Sequence, residues 1–251
     1  MLILNIGKGA RRALVSVVVA ACGGAISSSV HAGFVATFQS YGAGQYASCG
    51  YRAADVWDST TALNYYSIRA FQHEFVGATG ETRLTWCAEV YQGISVGSTY
   101  DFAEVAIEDV PTAPPGPMGL ARATIVRDLV ARWIDPLTQM VIGDASQRAA
   151  KSAAFQLAVW EITHENFTAA DASGMVNQMS LTTGAFRSSP GTEVLGWYSA
   201  IRDSLGLGGF QAAAVGGLAN AQAQDQIYTV PAPGAAMLMM IACGVGRRRR
   251  R

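Results

Sequence analysis

Two cysteines, one glutamine in an apolar run, and a few acids and histidines are the residues of this 251-residue chain whose types and spacing could do chemistry. Of the four cysteines, Cys22 and Cys243 fall in the terminal segments, which leaves Cys49 and Cys87 in the body. A cysteine acts as a nucleophile through its thiolate, whereas two thiols in an oxidising compartment pair. The simplest reading is a Cys49–Cys87 disulfide, with a free cysteine as its variant. Gln156 stands between Phe155 and Leu157 in the run Ala154-Phe155-Gln156-Leu157-Ala158-Val159-Trp160-Glu161-Ile162. A long amide there must find a hydrogen-bonding partner if it is buried. His73 and His164 are the only histidines after the first 32 residues, too few for a zinc site of several His or Cys ligands. No metal or other cofactor is expected. His73-Glu74, or Glu161 with Glu165, could be drawn as acid/base pairs for glycoside hydrolysis, but carboxylates four apart on a helix read as a solvated face. Gly-x-Ser-x-Gly, P-loop and dinucleotide fingerprints do not occur.

Between residues 34 and 109, short alternating or aromatic-rich runs are punctuated by Gly, among them Leu63-Asn64-Tyr65-Tyr66-Ser67-Ile68 and Thr82-Arg83-Leu84-Thr85-Trp86-Cys87. These are strand patterns, and the second puts Cys87 on a strand. The proline-rich stretch 111–117 predicts a loop separating sheet from helices, since proline fixes φ and removes backbone donors. Beyond it Leu120, Ile125, Leu129, Trp133 and Leu137 recur at helical spacing, with Arg122, Arg127, Asp128 and Arg132 available for the outer face. A second helix, capped near Asp144, runs without Gly or Pro over residues 145–163 and carries Gln156. Residues 174–189 read as loop or short helix, 193–205 as a helix, 206–223 as ambiguous, and Gln226-Ile227-Tyr228-Thr229-Val230 as a last strand. The composition supports a mixed soluble domain.

Charge is unevenly placed, because Lys8, Arg11 and Arg12 lie in the first 32 residues, the last five are all Arg, and every acid lies between. The body keeps 10 basic against 18 acidic residues, a net of −8. So acidic a body is unsuited to binding nucleic acid through a basic surface. Residues 1–32 have the layout of a secretory signal peptide: a basic start, an apolar run from Ala13 to Ala21, and a small-residue close at Val30-His31-Ala32. Signal peptidase is expected to cut after Ala32. In a competing reading Val19-Ala20-Ala21-Cys22 is a lipobox and Cys22 becomes a lipidated N-terminus; both readings export the chain. Residues 33–229 form the body, as one domain or two closely joined.

Residues 230–251 comprise Val230-Pro231-Ala232-Pro233-Gly234, an apolar stretch from Ala235 to Val245, then Gly246 and five Arg. The apolar part is shorter than the roughly 20 residues of a spanning helix, and trailing arginines stay on the cytoplasmic side. This segment resembles the PEP-CTERM sorting tails of Gram-negative bacteria in their Val-Pro-Ala-Pro variant. That likeness implies recognition by an exosortase, transient membrane association, and a place at the cell surface or in an exopolysaccharide or biofilm matrix.

Trp86-Cys87-Ala88-Glu89-Val90-Tyr91-Gln92 and Gln156-Leu157-Ala158-Val159-Trp160 together resemble the thioester domains of bacterial surface proteins, which pair a strand Cys with a helical Gln-x-Ala-(Ile/Val)-Trp. The family often carries Thr before the Gln, where this chain has Phe155. The resemblance implies an α+β fold, a β-rich, sandwich-like part joined to helices, and an internal thioester between Cys87 and Gln156. In that chemistry the sulfur attacks the amide carbonyl, ammonia leaves, and the acyl group awaits an amine on a surface or matrix target. Proximity does the activating, and Trp86, Tyr91, Phe155 and Trp160 are candidates to exclude water. Trp160 and Phe155 read first as core anchors. Such capture, useful for adhesion, is single-use and not enzymatic. Its rival is a noncovalent matrix protein with Cys49 and Cys87 paired or free.

Overall fold

The computed structural model describes residues 33–51 and 65–230; the expected signal peptide, the sorting tail beyond Val230, and Leu63 and Asn64 lie outside them. The chain is α+β, with seven strands and four helices among the described residues. The strands are β1 (Gly33–Tyr51), β2 (Tyr65–Gly77), β3 (Thr82–Cys87), β4 (Thr99–Ala106), β5 (Phe186–Ser189), β6 (Val215–Ala219) and β7 (Gln226–Thr229). The helices are α1 (Gly119–Trp133), α2 (Ala145–His164), α3 (Ala172–Gln178) and α4 (Thr192–Ser204).

All strand pairings are antiparallel. They run β2-β3-β7-β6-β4-β1, and β1 returns to pair with β2, so six strands close into a ring while β5 adds to the far end of β1. Closure leaves those six strands without a free long edge. The 19-residue β1 serves three partners in turn, and it bends where its register with β2 shifts between Phe38 and Ser40 and again between Tyr41 and Gly44. A Cβ on Gly44 would sit 2.4 Å from the Ala70 carbonyl oxygen, so the second irregularity requires glycine. Inside the ring, Phe34, Ala36, Phe38, Phe75, Phe102 and Leu218 form an apolar plug, with Phe75 edge-on to Phe102 at 5.4 Å.

The larger core lies against the helices. α2 is buried along residues 150–164, packing on β1, β2 and α4. Its small residues Ala150, Ala153, Ala154 and Ala158 let it approach closely, and a helix covered on every side has no need of a polar face.

Several expectations are corrected here. Leu120 and Leu137 are exposed, because α1 ends at Trp133 ahead of Pro136 and its apolar stripe is Ala123, Ile125, Val126, Leu129 and Val130. Arg122 and Asp128, assigned to the outer face, turn inward: Arg122 donates to the carbonyls of Thr163 and Glu165, and Asp128 is fully buried. Glu161 and Glu165 are buried too and form no solvated face. Glu161 accepts from the Ser180 amide at 2.6 Å, and Glu165 accepts from the amides of Ala185, Phe186 and Asn166. They tie down the loops before β5. Asp144 holds the N-cap position of α2 with extended backbone, without a side-chain cap hydrogen bond. The ambiguous stretch 206–223 contains β6.

Candidate functional site

Cys87 ends β3, opposite Gln226 of β7. The β2–β3 ladder stops two residues earlier, at His73 opposite Thr85, so the backbone of Cys87 meets no strand on that side. Gln156 of α2 fills the gap. Its Oε1 accepts from the Cys87 N–H at 2.9 Å and its Nε2 donates to the Cys87 carbonyl at 2.8 Å. The carboxamide thus acts as one peptide unit of a missing strand. Both residues are essentially inaccessible to solvent, at 1% and 0% exposure. A buried amide with both ends engaged is rotationally fixed.

The chain then turns tightly. The Cys87 thiol donates to the Glu89 carbonyl at 2.5 Å, and the Ala88 amide donates to the Asp225 carbonyl at 2.8 Å. Glu89 folds its carboxylate back under its own turn, where Oε2 accepts from the amides of Tyr91 at 2.5 Å and Gln92 at 3.0 Å. The other oxygen, Oε1, is buried with no hydrogen-bond partner. Burial raises the Glu89 pKa to about 6 against the pull of those amides. Burial, seconded by the Glu89 charge, holds the Cys87 thiol well above its ordinary range; the Glu89 carbonyl and the adjacent Trp160 indole act in the opposite sense. Cys87 is therefore a thiol, not a thiolate, at neutral pH.

A cleft of about 490 Å³ reaches Cys87. Tyr41, Tyr46 and Tyr51 of β1 and Tyr66 of β2 line it, with Cys87 and Trp160 deeper within. Arg69 lies over the Tyr41 and Tyr46 rings at 4.6 and 5.6 Å and donates to the Tyr46 hydroxyl at 2.7 Å. His73 lines the same cleft.

Of the four expected shielding residues, Trp160 faces the cleft. Trp86 and Phe155 stack with ring centroids 4.5 Å apart and fasten β3 to α2, each adjacent to a member of the pair. Tyr91 packs edge-on against Tyr51 at 4.8 Å and lies 5.7 Å from the His164 ring.

Cys49 and Cys87 are both free and buried in this structure. Cys49 meets the Ser188 hydroxyl at 3.5 Å, and burial pushes its thiol up to about 11. His73 and Glu74 do not form an acid/base pair: neighbours on a strand point to opposite faces, and Glu74 accepts from Ser40 at 2.8 Å. His164 bonds to Thr163 through Nδ1, while its Nε2 is buried without a partner. Burial lowers its pKa to about 3. Glu89 is the residue sequence reading passed over, although an acid two positions after a strand cysteine, inside the motif Trp86-Cys87-Ala88-Glu89, was visible.

Compared with known proteins, the chain matches no family model, no curated protein and no solved structure.

Proposed function

We propose that this chain forms an internal thioester between Cys87 and Gln156 and uses it once, to attach covalently to an amine-bearing target. The observation that carries this reading is the pair of hydrogen bonds fixing the Gln156 carboxamide to the backbone of Cys87 at the inner end of an open cleft. Sγ attacks Cδ, and the negative charge that gathers on Oε1 is met by the Cys87 N–H already aimed at it, an oxyanion-hole arrangement built from the nucleophile's own amide. Collapse breaks the C–N bond. The nitrogen departs as ammonia, taking the proton released by the thiol. Because Cys87 is protonated at rest, fixed geometry has to supply the drive that a ready thiolate would otherwise give.

An incoming amine then bonds to the acyl carbon, the C–S bond breaks, and the thiol is restored. One event consumes the site, so the reading is of a capture protein and not of a turnover enzyme. The terminal motifs support export by signal peptidase and exosortase-type sorting, and with them a place on a Gram-negative surface or in a biofilm matrix, serving adhesion. Among the described residues no helix is long and apolar enough to cross a membrane.

The intact mass of the purified, unreduced chain tests the proposal beside Cys87→Ala and Gln156→Ala. Thioester formation lowers the mass by about 17 units through loss of ammonia, and either substitution abolishes the deficit. A deficit of about 2 that survives Gln156→Ala would mean a Cys49–Cys87 disulfide. With no deficit, the Gln156 amide is a structural staple of β3 to α2 in a noncovalent matrix protein, a reading favoured by the engagement of both ends of that amide.

A further inference from the structure

We propose that His73 is a catalytic residue of the capture step, its Nε2 accepting the proton of the nucleophile that enters the cleft. The inference rests on the thioester reading above and on a row of side chains across the inside of the ring. Directly opposite residues of an antiparallel pair share a face, and a strand repeats its face every second residue. His73 lies opposite Thr85, Cys87 is two residues on from Thr85, and Gln226 lies opposite Cys87. All four therefore share one face. Cys87 is the diagonal neighbour of His73, about 7–8 Å away along the sheet. Both line the same cleft, so a molecule that reaches the Cys87 thiol shares that space with the imidazole.

Hydrogen bonds fix the imidazole's tautomer. Gln226 donates through Nε2 to the Gln224 carbonyl and presents Oε1 to the Thr85 hydroxyl at 2.9 Å and to His73 Nδ1 at 3.0 Å. An oxygen that accepts from both neighbours requires the proton on Nδ1, which leaves Nε2 as the basic nitrogen. Burial lowers the His73 pKa to about 4 against the support of Gln226, so the ring is neutral at physiological pH. The groups packed on it are the rings of Phe38 at 5.2 Å and Tyr41 at 5.5 Å, Thr85 and Gln226. Tyr41, Tyr46, Tyr51, Tyr66, Arg69 and Cys87 are the ionisable groups that share its cleft among the described residues.

The step balances simply. The amine nitrogen bonds to the Gln156 acyl carbon, its proton passes to His73 Nε2, the C–S electrons return to Cys87 Sγ, and the imidazolium hands the proton to sulfur. Amide, thiol and neutral imidazole result.

The experiment loads the full chain, confirms the thioester by mass, and follows single-turnover opening by 2,2,2-trifluoroethylamine, a weakly basic amine that keeps free base in acid. Wild type, His73→Gln and Thr85→Val are compared at fixed free-amine concentration. General acid–base catalysis is worth roughly 100-fold or more, so His73→Gln should keep the mass deficit yet open about 100-fold more slowly. The wild-type rate should fall as the pH drops through about 4, and the variant should lose that bend. Thr85→Val, which leaves Gln226 Oε1 to His73 alone and keeps the imidazole, should retain the bend near pH 4. Opening of His73→Gln at the wild-type rate, or a bend near pH 4 that persists in His73→Gln, would overturn the role of His73 with the thioester intact. Should His73→Gln fail to load, a straight wild-type pH profile through the same range would overturn it. A wild type that never loses 17 mass units sinks the thioester reading itself.

Discussion

At the scale of single residues, the site sets an unreactive thiol beside an unreactive amide and relies on placement. Glu89 carries most of the local electrostatic cost, because its carboxyl is buried with one oxygen bonded twice and the other not at all. Folded, it titrates at about 6; unfolded, it returns to about 4.5. The folded state therefore holds this proton more tightly. The penalty for ionising Glu89 is absent below about pH 4.5, grows as the pH rises, and is complete above about 6. Each unit of separation is worth about 1.4 kcal/mol, so the full penalty is about 2 kcal/mol. Glu89→Gln keeps an acceptor for the Tyr91 and Gln92 amides and carries no ionisation cost. Urea unfolding should show the variant gaining about 2 kcal/mol on the wild type between pH 4.5 and 7.5. A wild-type-to-variant gap that is the same at both pH values would contradict this account.

At the scale of elements, what was legible in the sequence is what local pattern determines. The stretch Thr82–Cys87 alternates as a strand should and is one, and an unbroken Ala-rich run gave the helix that carries Gln156. The side on which polar residues would lie was not legible, because their partners come from distant loops. Asp128 looked like outer-face decoration on α1, yet it accepts from the amides of Gly206 and Gln211 at 2.7 Å each and from Arg132 at 2.8 Å. Its partners lie 78 and 83 residues away, in a stretch with no readable pattern. Glu161 and Glu165 read as a solvated face for the same reason, since they anchor amides around Ser180 and Ala185. In the candidate site, the motif residues were readable and the cleft was not, because it is assembled from β1, β2, the end of β3, α2 and two loops. Asp128→Ala should cost about 2–4 kcal/mol by removing the acceptor of two amides and of the Arg132 Nε–H, with Asp128→Asn costing less because it retains an acceptor. Urea midpoints of the two variants measure this, and equal losses would mean that the space filled by the side chain matters more than its hydrogen bonds.

At the scale of the molecule, the proposed bond joins the two halves of the architecture, since Cys87 belongs to the ring of strands and Gln156 to the helix packed against it. The two residues are 69 positions apart, so a covalent link closes a long loop in the unfolded chain. By loop-closure entropy such a link stabilises the fold by about 4 kcal/mol, as a disulfide of that span would. Folding sets up the bond through the Gln156 hydrogen bonds, and the bond in turn would hold ring and helix together until a target opens it. On the proposed reading, capture would carry a mechanical consequence: the same event that attaches the protein to its target would remove its internal cross-link. The loaded chain should therefore unfold at higher urea than the same chain opened by ethylamine, with a difference of up to about 4 kcal/mol. Cys87→Ala, which has no bond to lose, should be indifferent to the amine. If opening leaves the unfolding curve unchanged, the acyl bond does not bridge strand and helix, and the mass deficit must arise elsewhere in the chain.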